Sequence, residues 1–186
     1  MKRPKNETIG WGSVLAGFPE EALWIAQIIE EWNVVEFELA HLLSNMLAAP
    51  APIVFPMIFA INNNRGRLDV IEPAVTRLAK TPEEKVEVTG LMLEARSVLN
   101  VRNGYTHAIY ICSTTSKRKQ LQAVNLKNFH KGKESRIPVK LGQLRKDLIR
   151  ITKLADDIRF TWMGIALQRQ QPKPTASGES SPPVSD

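Results

Sequence analysis

The sequence predicts a mainly α fold, an antiparallel bundle of about four helices with a small β-hairpin or sheet inserted before the last long helix. Three observations carry this. Two long stretches, one early and one late in the chain, repeat apolar residues at alternating spacings of three and four, the seam of a core-facing helix. A Thr81-Pro82-Glu83-Glu84 stretch has the chemistry of a third helix start. Between residues 108 and 139 the pattern changes to the short, β-branched runs of strands.

The first helix begins at Pro19, a residue suited to the first turn, with Glu20 and Glu21 beside the positive end of the helix dipole. Its seam is Ile25, Ile28, Trp32, Val35, Leu39, Leu42 and Met46, and Pro50 closes the run. From Pro52 to Ala79 the chain reads as a shorter helical region interrupted at Asn62-Asn63-Asn64-Arg65-Gly66. Beyond that break Leu68, Ile71, Val75 and Leu78 restore helical spacing. The next helix combines a Thr81 cap, proline at its first position and Glu84 three residues after the cap. It runs through Val88, Leu91, Ala95, Val98 and Leu99 to Arg102 or Asn103, with Gly104 as the expected stop.

Two strands are predicted at Ala108–Ser113 and Leu121–Leu126, joined by a polar link from Thr114 to Gln120 with a basic tip. A third strand is predicted over Ser135–Val139, confined to a sheet edge by Pro138. The last helix carries Leu144, Leu148, Ile151, Ala155, Ile158, Trp162 and Ile165 on one seam. The organisation is therefore a flexible segment over 1–17, one domain over 18–170 with its β insertion at about 108–139, and a disordered Pro/Ser/Gly-rich tail over 171–186.

Composition sets the class. A chain of 186 residues with 43% apolar and 24% charged residues has room for one domain with a proper core. Cys112 is the only cysteine, which excludes an internal disulfide and a multi-cysteine zinc site and fits a reducing compartment. The opening residues lack a secretory apolar run, and the most apolar stretch, Ile53 to Ile61, is short and broken by Pro56. A cytoplasmic protein with no membrane span is expected.

The net charge of +6 is unevenly spread. Pro19 to Ala49 holds six acids and no Lys or Arg, whereas Ser113 to Lys153 holds twelve bases against Glu134 and Asp147. The basic block suits neutralisation of a nucleic-acid backbone, with Lys117, Arg118 and Lys119 at the hairpin tip as the RNA-binding candidates. It also suits a solvated face, or pairing with the acidic helix of the same or another protomer, and the sequence alone leaves these readings open. The two long seams make a homodimer credible.

No glycine-rich phosphate loop, His-x-x-x-His pair or cysteine cluster is present, so neither a metal nor a cofactor is expected. His41 lies beside the first seam, where a bond to Glu38 would satisfy it, and His130 sits in the basic linker. His107 has other company. The stretch Arg102-Asn103-Gly104-Tyr105-Thr106-His107 resembles the Arg-Asn-x-x-x-His motif of the HEPN (higher eukaryotes and prokaryotes nucleotide-binding) superfamily, all-helical proteins in which such a motif closes a long helix. The resemblance implies metal-independent RNA cleavage with Arg102, Asn103 and His107 as catalytic residues, in a dimer that brings two motifs to one cleft. It also implies a toxin or phage-defence role, with an antitoxin protein as a possible partner. One subtype carries, two residues after the histidine, a tyrosine that an antitoxin modifies; here that place is Ile109.

The residue types suit the chemistry. Cleavage of RNA by its own 2′-hydroxyl needs a group that moves a proton near neutral pH, which histidine is, and a fixed positive charge for the pentavalent intermediate, which arginine is. Asn103 would orient the pair. The alternative is a non-catalytic module of the same fold that dimerises or binds RNA or protein, with Arg102 and Asn103 satisfying carbonyls at the helix end.

Overall fold

The computed structural model describes residues 14–115, 118–125 and 136–170. The fold class is the one read from the sequence: mainly helical, with a three-stranded antiparallel sheet before the last long helix. A 3-10 turn, Val14–Gly17, precedes α1 (Pro19–Leu47), α2 (Ala51–Phe59), α3 (Asn64–Leu78) and α4 (Pro82–Thr106). Strands β1 (Ala108–Thr115), β2 (Arg118–Asn125) and β3 (Arg136–Pro138) follow, and then α5 (Leu141–Gln170). The turn belongs to the fold, so its first element starts before residue 18.

The α1 seam is buried along its whole length, with Ile28, Trp32, Val35, Leu39 and Leu42 fully excluded from solvent. It meets the α5 seam, where Leu144, Ile151, Leu154, Ala155, Ile158 and Ile165 are buried. These two helices run side by side in the same direction. Arg145 lies over the Trp24 ring at one end, Arg159 and Trp162 bond Glu38 in the middle, and Arg169 reaches Asn45 and Met46 at the other end. Helix α4 runs antiparallel to α5: Glu87 meets Thr161, Glu94 meets Arg150 and Tyr105 meets Asp147.

Local chemistry explains the boundaries. α1 ends in a left-handed residue, Ala48 (φ 51°, ψ 35°), which lets the Ala48 and Ala49 N–H groups bond Asn45 and Ser44 carbonyls. The polar break before α3 is used as a cap, with Asn63 Oδ1 accepting from Gly66 N–H at 2.5 Å. Thr81 Oγ1 accepts from Glu84 N–H at 3.1 Å as the capping box requires, but the Glu84 carboxylate turns to the Lys80 N–H at 2.6 Å, one residue earlier than the reciprocal box would have it.

Three expectations are corrected. Gly104 does not stop α4, which continues through it to Thr106, because His107 N–H still reaches the Asn103 carbonyl at 3.1 Å. The hairpin strands are longer than their apolar cores, pairing in register out to Thr115 and Arg118, so Arg118 and Lys119 are strand residues rather than loop tip. His41 does not bond Glu38; it stacks on Trp162 at 5.1 Å with Phe37 and Phe55 edge-on, while Glu38 takes its bonds from Arg159 and Trp162. Strand β3 pairs only with β2, so Pro138 sits at a sheet edge as expected.

Candidate functional site

The last two turns of α4 bring the motif residues to the junction of bundle and sheet. Arg102 and Asn103 are half-buried there, and His107, the residue that ends the helix (φ −103°, ψ 11°), is exposed. Arg102 donates from Nη1 to Asn103 Oδ1 at 3.1 Å, and Thr106 Oγ1 donates to the Arg102 carbonyl at 3.0 Å. Arg102 and His107 are five residues apart, so helical geometry turns their side chains roughly 140° from each other. No hydrogen bond joins the two.

What faces Arg102 is an acid the sequence did not single out. Glu36 of α1 is 5% exposed and pairs through Oε2 with Arg67 of α3 at 2.7 Å. Burial pushes its carboxyl above the usual carboxylate range, and Arg67, a nearby Trp32 indole N–H and Arg102 oppose that rise. The indole lies near enough to favour the charge without reaching hydrogen-bonding geometry; Trp32 Nε1 and Glu36 Oε1 are both buried and unpartnered. Burial in turn pulls the Arg102 guanidinium below its ordinary value, with Glu36 opposing, and its Nε is buried without a partner. Glu36 is thus ion-paired to Arg67 and acts on Arg102 only through space, so the Arg102 guanidinium is half-buried with no ion pair of its own among the described residues.

A second network braces the same turn from α5. Tyr105 donates to Asp147 Oδ2 at 2.5 Å, Gln143 donates to Asp147 Oδ1 at 2.8 Å, and Tyr110 of β1 donates to the Tyr105 carbonyl at 2.7 Å. Burial raises both phenols, Tyr105 the more strongly with the Asp147 carboxylate adding to the effect, and Tyr110 to about 12. Both stay neutral donors across the physiological range.

Of the remaining candidates, Lys119 is exposed on β2, Arg118 begins that strand, and Lys117 lies outside the described residues, as do Lys127, His130, Lys131 and Lys133. Glu36 pairs with Arg67 and Glu38 with Arg159, whereas Arg150 of the basic block binds Glu94 of α4. Among the described residues there is no cluster of His, Cys, Asp and Glu able to hold a metal, and no helix is long and apolar enough to cross a membrane.

Comparison with protein-family models, with curated proteins and with solved structures finds no match to this chain.

The sequence held signals for two of the missed residues. Glu36 stands in Val34-Val35-Glu36-Phe37, an acid inside an apolar run next to the seam. Asp147 is one of two acids in a block of twelve bases. A charge so out of keeping with its neighbours is commonly held by a partner.

Proposed function

We propose that the protein is a metal-independent endoribonuclease of HEPN type in which Arg102 and His107 act on the scissile phosphate. The observation that carries this reading is the state of Arg102: a half-buried guanidinium whose one side-chain bond goes to Asn103 and whose Nε has no partner among the described residues, one turn before an exposed histidine. Such a site favours an incoming phosphate, because the anion can make the ion pair that Arg102 does not make among the described residues.

In this reading His107 takes the proton of a ribose 2′-hydroxyl as O2′ bonds to phosphorus. The P–O5′ bond breaks, a 2′,3′-cyclic phosphate remains, and the departing 5′-oxygen takes a proton from a second imidazolium. Arg102 stabilises the charge on the pentavalent phosphorus. One chain turns Arg102 and His107 to different sides of α4, so a cleft shared by two copies supplies the missing histidine. A toxin or defence role, and an antitoxin partner, belong to the same reading.

The second reading, a non-catalytic binding or dimerisation module, is favoured by the way Arg102 faces Glu36, as a structural member of the ion network would. A labelled single-stranded RNA incubated in chelator separates them. Wild type is expected to leave a cyclic phosphate end, and His107→Ala to cleave at least a hundredfold more slowly. Absence of cleavage, or equal cleavage by the variant, would leave the binding module standing.

A further inference from the structure

On the side of α4 that carries Asn100, Val101, Gly104 and Tyr105, a pocket of about 250 Å³ opens between the helix end, the β2–β3 edge and the start of α5. Its walls are largely apolar, with Ala108, Ala123, Ile137 and Val139 opposite the helix. Asn100, Gln143 and Lys140 supply polar side chains to its lining. We propose that this pocket holds one unpaired nucleobase of a single-stranded RNA, with the strand's phosphate at Lys140. The proposal rests on the RNA reading above and adds a base-binding subsite to it.

Shape sets the size of the guest. The volume falls below the roughly 300–1,000 Å³ of pockets that hold drug-sized ligands, which suits a single planar ring system rather than a whole nucleotide. The polar groups set its chemistry. Gln143 Nε2 is committed to Asp147, so its Oε1 is left as an acceptor, whereas the unpartnered Asn100 carboxamide both donates and accepts. Base edges present donors and acceptors side by side, and a carboxamide matches such an edge. Lys140 stands at the N-terminus of α5, where the first N–H groups lack intrahelical partners and favour negative charge. Arg145 and Lys146, both exposed in the following turn, extend that cationic surface.

The pocket is braced as well as shaped. Asp147 ties Tyr105 on one wall to Gln143 on another, and Tyr110 holds the Tyr105 carbonyl, so these two walls and the Gln143 carboxamide are held in place before a base arrives. Gly104 fits the same purpose. Glycine inside a helix is about 1 kcal/mol less favourable than alanine, yet a Cβ at Gly104 would meet no atom within 4 Å. Its bare backbone leaves the pocket open.

The test is fluorescence anisotropy on the His107→Ala protein, which keeps the probe intact, with a labelled hexaribonucleotide and an abasic strand of equal phosphate count. The parent is expected to bind the base-bearing strand about tenfold tighter than the abasic one. Gly104→Leu fills the pocket and improves helix propensity; it is expected to bring that ratio close to one while leaving abasic binding unchanged. Ala123→Leu fills it from the sheet side and serves if circular dichroism shows Gly104→Leu misfolded. A parent without preference for bases, or a folded pocket-filling variant that keeps it, overturns the proposal. Preserved base preference in a protein whose wild type cuts no RNA would sink the ribonuclease reading and leave the pocket.

Discussion

Tyr105 donates its hydroxyl to Asp147 at 2.5 Å, and this one bond joins the last turn of α4 to the second turn of α5 across the mouth of the motif. Asp147 is 8% exposed and receives bonds on both oxygens, from Tyr105 and from Gln143. Losing one donor strands part of a buried charge. Tyr105→Phe is expected to cost about 1.5–3 kcal/mol in urea unfolding, the range for a hydrogen bond to a charged group.

The same burial gives a spectroscopic prediction, since Tyr105 and Tyr110 are the only two tyrosines. Both phenols are raised above the ordinary value near 10, Tyr110 to about 12. A raised phenol contributes stability that is fully present below the unfolded value and lost as pH climbs through the folded one. The folded protein is therefore expected to show no tyrosinate absorbance at pH 10.5, and to lose stability between pH 10 and 12. Half-titration near pH 10 in the folded state would contradict the buried placement.

Glu36 has the opposite sense for an acid. Burial lifts its carboxyl above the ordinary carboxylate value, so the folded state takes up a proton more readily than the unfolded chain. As pH falls from 7 towards 4.5, wild type should gain stability relative to Glu36→Gln, which cannot titrate. At pH 7 Glu36→Ala should cost about 3 kcal/mol, because it leaves the half-buried Arg67 guanidinium without its ion-pair partner. Urea melts of the three proteins at pH 7 and 5 measure both.

Ala48 is the one non-glycine residue with positive φ among the described residues, and it closes α1 in the left-handed region. A Cβ is disfavoured there by about 1–2 kcal/mol, partly offset by the greater freedom glycine brings to the unfolded chain. Ala48→Gly is expected to stabilise the protein by up to about 1 kcal/mol; a thermal melt with a lowered midpoint would refute it.

Neutralising Lys117, Arg118 and Lys119 together should weaken RNA binding and flatten its salt dependence, since fewer counterions leave per bound strand. An unchanged slope would make this strand start a solvated face.

The two long seams were legible in the sequence because a period of three and four over some thirty residues has few other readings, and every seam residue of α1 is buried. The capped start of α4 was legible for a local reason, since Thr81, Pro82 and Glu84 act within one turn. The end of α4 was not. Gly104 is a stop by local propensity, and the bracing of Tyr105 by Asp147 and Tyr110 is long-range. The motif was visible as spacing, but its setting was not, because Glu36, which acts on Arg102, lies on a helix distant in sequence and is held there by Arg67 of another. His41 was misread for a similar reason: Trp162, the ring it stacks on, lies 121 residues away, and Glu38 is taken by Arg159 on the same distant helix.

The shared direction of α1 and α5 gives the molecule an electrical polarity. Antiparallel neighbours cancel their helix dipoles, whereas these two add, setting both positive ends beside Pro19 and Leu141. Lys140, Arg145 and Lys146 stand at that pole beside Glu20 and Glu21 of the first α1 turn. At the opposite pole Arg169 spends its charge on the carbonyls of Asn45 and Met46 at the end of α1. In the RNA reading proposed above, a strand approaching from solvent is drawn to the Lys140, Arg145 and Lys146 side of the end marked by Pro19 and Leu141, and capture should slow as added salt shortens the reach of those charges.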